Sequence, residues 1–207
     1  PYINRPFGIL PRDEEEQLLW PVYKGLIFLE ALEVFLRLSR GEVLASSMTT
    51  PLAIKRADCR DESAWQAACA ARGLDPHAEG AEIPYRPRWS FESLELVPAM
   101  AREEVESHMR FILGSADPRA RELGLQFADL DIFNLSFTPP DKIEAIHEEM
   151  TGRYREHGRT WRRDRLPRTV LVFIDQDAAK ARAMAEAAFD TYIEAMRGTV
   201  KFPPKQY

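Results

Sequence analysis

The alternation of apolar and polar positions is sharpest between His108 and Phe137, HMRFILGSADPRARELGLQFADLDIFNLSF. Met109–Leu113 is a compact apolar run that stops at Gly114-Ser115. Asp117-Pro118 then opens a segment with helical spacing, and Leu130–Phe137 is a second apolar run. Short apolar runs on either side of an amphipathic stretch read as strand, turn, helix, strand, which is one βαβ unit. In folds built from such units, the turns leaving the C-terminal ends of parallel strands are where ligands bind. Gly114–Ala116 is such a turn.

The same reading extends along the chain. Asp13 followed by Glu16 has capping-box spacing, and Pro21 interrupts any helix that starts there. Tyr23–Leu38 is a stronger helix, with Phe28, Ala31, Leu32, Phe35 and Leu38 as its apolar face and Gly41 as its stop. Residues 42–60 carry no legible period. Glu62–Arg72 is a short helix ended by Gly73, Asp75–Pro87 is a Pro- and Gly-rich loop, and Phe91–Val97 is a candidate strand. Thr138 is the N-cap candidate for a helix from Pro139 to about His157, with Ile143, Ile146, Met150 and Tyr154 on its apolar side. The clearest strand is Thr169–Ile174 (TVLVFI). Its uninterrupted run of largely β-branched and aromatic residues predicts burial on both faces, beside Asp131–Phe137 and parallel to Met109–Leu113. A last helix, from about Asp177 to Met196, lines up Ala178, Ala181, Ala185, Ala188 and Tyr192, small enough to lie close against a sheet.

Strands alternating with amphipathic helices predict the α/β class with a largely parallel sheet. Three or four strands are visible where a closed barrel needs eight, so the chain reads as TIM-barrel-like β/α units forming an incomplete barrel. Length and composition narrow this further. A chain of 207 residues, 45% hydrophobic, forms one domain with a real core. A net charge of −5 leaves no basic footprint, which argues against nucleic acid as a partner. No apolar run approaches the ~18 residues of a membrane span, and no signal-peptide pattern is present. Two cysteines, Cys59 and Cys69, in a helical-looking stretch read as reduced thiols in a cytoplasmic protein. The chain opens at Pro1 rather than Met, which reads as processing, truncation or an internal piece of a longer protein.

Residues 110–200 resemble the bacterial luciferase-like family of flavin-dependent monooxygenases, which are TIM barrels. RFILGSADPRARELGLQFADLDIF is similar to the family's strand ending in Gly-Ser, followed by a helix and an Ala-Asp pair before the next strand. LPRTVLVFIDQDAAKARAMAEAAF resembles its late strand, acidic turn and alanine-rich helix, and RGTV resembles the lead-in to the final strand. RDEEEQLLWP and FLEALEVFLRL are more loosely similar to the helix before a mid-barrel insertion. The resemblance implies a single α/β domain over 1–207, with 110–200 as a luciferase-like C-terminal half and 42–90 as an insertion. It implies a shortened member or part of a longer chain. It also implies oxygenation of a small organic substrate by reduced FMN and O₂, with a deazaflavin as the alternative cofactor. A second implied role is a non-catalytic flavin-binding or structural partner subunit.

Gly114, Ser115 and Ala116 are the leading site candidates. Glycine lets backbone approach an anion, and a serine hydroxyl and N–H groups at a helix start can hold a phosphate. The family's Gly-Ser pair at this point contacts the flavin phosphate; the plainer reading is a capped strand-to-helix turn. Asn134 and Ser136 are polar residues in an apolar strand, where they face a pocket, near the flavin ring or substrate on the resemblance, or satisfy loop backbone. No metal site is expected: His147-Glu148-Glu149-Met150-Thr151 lacks the second histidine of the zinc helix motif, and His147 and His157 read as solvated helix positions. Trp20, Phe28, Trp65, Trp89 and Phe91 read as core, with a substrate cavity as the alternative. Open sheet edges predict a homodimer or a partner chain, with the apolar side of Tyr23–Leu38 contributing.

Overall fold

Pro21 divides the first helix in two. The computed structural model describes residues 9–97, 104, 108–134 and 138–196. In it α1 (Glu14–Leu18) is capped by Asp13, whose carboxylate accepts the Glu16 N–H at 2.9 Å. The chain turns at Leu19 and restarts as α2 (Trp20–Ser39), with Pro21 in the first turn, where its missing N–H costs nothing.

The face that α2 buries differs from the expected one. Tyr23, Leu26, Ile27, Leu29, Glu30, Glu33 and Leu36 are buried, whereas Phe28 and Phe35 are 40% and 50% exposed. Two glutamates sit in the buried stripe because each holds a loop. Glu30 accepts from the Tyr85 hydroxyl (2.7 Å) and from the N–H groups of Arg88 (2.8 Å) and Trp89 (3.2 Å). Glu33 accepts the Thr50 N–H at 3.0 Å and pairs with Arg37. A hydrophobic pattern gives such positions to solvent, which rotates the inferred face. Glu16 on α1 is equally buried. Burial alone would raise its pKa, but the Arg12 amide and guanidinium, with Arg86, outweigh it and hold the carboxyl below its ordinary value.

The loops held by these carboxylates belong to an organised excursion. β1 (Ala53–Lys55) pairs antiparallel with β2 (Glu82–Pro84), placing Ile54 opposite Ile83, both fully buried. Between them α3 (Glu62–Ala71) buries Trp65, and Gly73 takes the positive φ that follows a helix end. Three-residue strands are too short to show a period, which is why residues 42–60 and 75–87 gave no strand signal. Phe91–Val97 contributes one isolated bridge, Leu94 to Leu44, rather than a strand.

The central unit forms in the order read, with shorter strands than Met109–Leu113 and Leu130–Phe137. The last three residues of the second run lie outside the described residues. β3 (Phe111–Leu113), α4 (Pro118–Phe127) and β4 (Leu130–Ile132) follow in order, and β3 and β4 are parallel, with Leu113 opposite Ile132. Gly124 sets how closely α4 approaches β4. A Cβ built there would run into the Leu130 side chain, itself buried. Alanine improves helix propensity by about 1 kcal/mol over glycine. Here Gly124→Ala is nevertheless expected to destabilise, by about 1–2 kcal/mol, because the clash falls in a filled core. Urea unfolding of the two proteins checks the sign.

α5 (Pro140–Glu156) has Pro139 rather than Thr138 at its N-cap position, with no side-chain capping bond, and it buries His147, Met150 and Tyr154. His147 is thus not the solvated residue expected, and His157 is half-buried against Glu122 of α4 at 3.1 Å. Arg121 of α4 pairs with Glu149 of α5, tying the two helices together.

The largest departure is Thr169–Ile174. Its direction is as expected at the start: Asn134 bridges Arg168 in parallel, with Asn134 N–H to Pro167 O at 3.0 Å and Thr169 N–H to Asn134 O at 3.1 Å. Beyond that, no ladder continues among the described residues. Val170, Leu171, Val172 and Ile174 are exposed, Ile174 by 84%. A β-branched strand needs a layer on each face, and the described elements supply neither here. α6 (Ala178–Met196) likewise buries no described residue; Ala181, Ala185 and Ala188 are half-buried, while Ala178 and Tyr192 are exposed. The fold is therefore mixed α and β, with two two-stranded sheets and no closure among the described residues. None of its described helices is long and apolar enough to cross a membrane.

Candidate functional site

The last carbonyl of β3, Leu113, accepts the Phe133 N–H at 3.0 Å, and the chain then leaves the sheet at Gly114. Because β3 and β4 are parallel, this turn emerges at the C-terminal end of both. The Ser115 Oγ accepts the Asp117 N–H at 3.2 Å, and the Asp117 carboxylate caps α4 by accepting the Arg119 N–H at 2.9 Å. Pro118 takes the first helical position. Local chemistry thus explains the whole turn: a serine, an aspartate cap and a proline in sequence can do little else.

The surface above the turn is open, since a Cβ at Gly114 would meet nothing within 4 Å. The Ser115 hydroxyl is engaged only as an acceptor, so its proton is left to donate. The N–H groups of Ser115 and Ala116 make no hydrogen bond among the described residues. Beside them the Arg119 guanidinium pairs with Asp117 (3.0 Å) and reaches Asp58 (3.2 Å) in the 3₁₀ turn Arg56–Asp58 of the excursion. Burial pushes the Asp117 pKa up, but the Arg119 side chain and amide outweigh it, leaving an ionised carboxylate below its ordinary value. Arg119 in turn is pushed up, chiefly by Asp117.

The paired register ends at Leu113 and Ile132, and Gly114 and Asn134 follow within two residues of that end on their respective strands. Asn134 is buried. Its backbone joins the Arg168 segment, and its side-chain amide donates to Ile132 O over a long 3.4 Å. Gly114, Ser115, Ala116 and Asn134 therefore gather at one end of one sheet, while Ser136 lies outside the described residues. Sequence reasoning missed Arg119 and Asp58 here. Arg119 stands within one turn of the Gly-Ser pair and was within reach; Asp58 comes from a stretch with no period. It also missed Asp131, buried inside the apolar run and paired with Arg110 at 2.6 Å and Arg165 at 3.6 Å.

The aromatic candidates do not converge on one cavity. Trp65 is core, Trp20 and Phe91 are half-buried, and Phe28 and Trp89 are exposed. Trp65 also lines an open cleft of about 400 Å³ with Lys55, Arg56, Pro76, His77 and Glu79. The two cations there are paired with Glu82 and Glu62. Among the described residues no cluster of histidine, cysteine and carboxylate side chains could hold a metal ion.

The groups at Gly114–Ala116 that fit a flavin phosphate are a hydroxyl proton, two amides, and room above a glycine for close approach. Asp117 and Asp58 are the opposing charges, and Arg119 pairs with both. Comparison with known protein families, curated proteins and solved structures found no match to this chain.

Proposed function

We propose that the Gly114–Ala116 turn holds the phosphate of FMN and that the protein acts as a luciferase-like flavin-dependent oxidoreductase on a small organic substrate. The observation that supports this reading is the position of a Gly-Ser turn with free donors at the C-terminal end of a parallel strand, which is where β/α folds bind ligands. The bound flavin would supply the oxygen chemistry. The chain's own part is to anchor it: Gly114 by leaving space, Ser115 by donating its hydroxyl proton, Ala116 through its N–H, and Arg119 by countering charge. Asn134 fixes the neighbouring strand end. A deazaflavin is the alternative cofactor.

The open sheet favours a second reading beside it, a non-catalytic flavin-binding or structural subunit that covers its exposed apolar Val170–Ile174 segment against a second copy or a partner chain. Reoxidation of reduced FMN by O₂, followed by stopped-flow with and without the protein, separates the two. The oxidoreductase is expected to replace the kinetics of free reduced flavin with a distinct, protein-dependent phase. Binding that leaves those kinetics unchanged would favour the subunit, and an absence of binding would leave only its structural form.

A further inference from the structure

Trp161 stands on the connection between α5 and Arg168, and its indole N–H donates to His147 Nδ1 at 3.1 Å. An indole nitrogen only donates. The bond therefore requires a bare lone pair on Nδ1 and puts the single ring proton on Nε2. Trp161 lies edge-on to Tyr154, with ring centroids 5.1 Å apart. Tyr154 is fully buried, and its hydroxyl serves both backbone groups of Leu130, accepting from N–H at 2.8 Å and donating to C=O at 2.7 Å. The Arg165 guanidinium covers the same ring, 5.6 Å from its centroid. The connection ends by delivering Pro167 and Thr169 to the backbone of Asn134. One imidazole lone pair is thus linked, through Trp161, to the attachments at both ends of β4.

We propose that His147 is a proton-operated latch on residues 159–168: neutral, it accepts Trp161 and holds the connection to α5, and protonated it turns an N–H toward the indole and lets Arg168–Thr169 loosen from Asn134. The charged groups that face it are Glu144 of α5 and Arg163 of the connection, which bind each other at 3.0 and 2.5 Å. Burial first, and Arg163 second, hold the imidazole below its ordinary value of 6.5, while Glu144 opposes them. A histidine lowered in the folded state protonates more readily when released. The closed latch is therefore at full strength above about pH 6.5 and weakens as pH falls toward the folded-state value. The device does not depend on what binds at Gly114–Ala116, although its output reaches Asn134.

Hydrogen exchange on the ¹⁵N-labelled chain tests it at pH 7.5 and 5. After correction for intrinsic exchange, protection of the Trp161 indole N–H and the Thr169 amide is expected to fall about five- to tenfold at pH 5, the loss of one hydrogen bond. His147→Gln keeps a carbonyl acceptor at every pH and is expected to hold its protection within about twofold. Trp161→Phe, which has no donor, is expected to show low Thr169 protection at both pH values. Equal wild-type protection at the two pH values overturns the latch. So does a fall in either variant as large as that of the wild type.

Discussion

Glu30→Leu is expected to cost about 3–5 kcal/mol, the largest loss of stability for any single side chain in the excursion's attachment. Glu30 is buried on α2 and accepts three hydrogen bonds, from Tyr85 Oη and from the backbone of Arg88 and Trp89. Leucine fills the space but leaves a buried hydroxyl and two amides without an acceptor, each worth about 1–3 kcal/mol. Burial first, and the bond to Glu30 second, push the Tyr85 hydroxyl above its ordinary value, which favours the protonated, donating form. Glu30→Gln, which retains one oxygen, is expected to cost less than half as much. Thermal melts followed by circular dichroism should place Glu30→Leu roughly 10 °C below wild type. Trypsin is expected to cut after Arg88 first in that variant, since Pro87 blocks cleavage after Arg86. A melt within a degree of wild type would mean that residues 85–89 are held by packing alone.

How much of this was legible in the sequence follows element by element. β3, α4 and β4 were, because Phe111–Leu113 and Leu130–Ile132 are apolar runs separated by a capped, amphipathic helix. The Gly114–Ala116 turn was legible for the same reason, since Ser115, Asp117 and Pro118 act within four residues of one another. The buried face of α2 was not. Glu30 and Glu33 are inside because of partners 17 to 59 residues away, and no local pattern contains those partners. β1 and β2 were hidden by length, and His147 by chemistry: a histidine on a helix looks solvated until Trp161, 14 residues on, is seen to donate to it. The exposure of Val170–Ile174 is the reverse case. There the composition states what the segment needs, and the described neighbours do not meet it.

The proposed flavin site at Gly114–Ala116 gives the second large effect. If the Ser115 hydroxyl donates to the phosphate, Ser115→Ala is expected to weaken FMN binding about 10–150-fold, the worth of one charge-assisted hydrogen bond. Gly114→Val is expected to do more. A Cβ at Gly114 meets nothing within 4 Å in the free protein, so a side chain there has room and occupies the place where phosphate and backbone would meet. Riboflavin, which lacks the phosphate, separates this from damage to the fold. The decisive measurement is a flavin-fluorescence titration of wild type and Ser115→Ala with FMN and with riboflavin. The expected result is a loss of FMN affinity in the variant with riboflavin affinity unchanged. FMN binding equally to both proteins, or to neither, would contradict the assignment and leave Ser115 as the acceptor for the Asp117 N–H and nothing more.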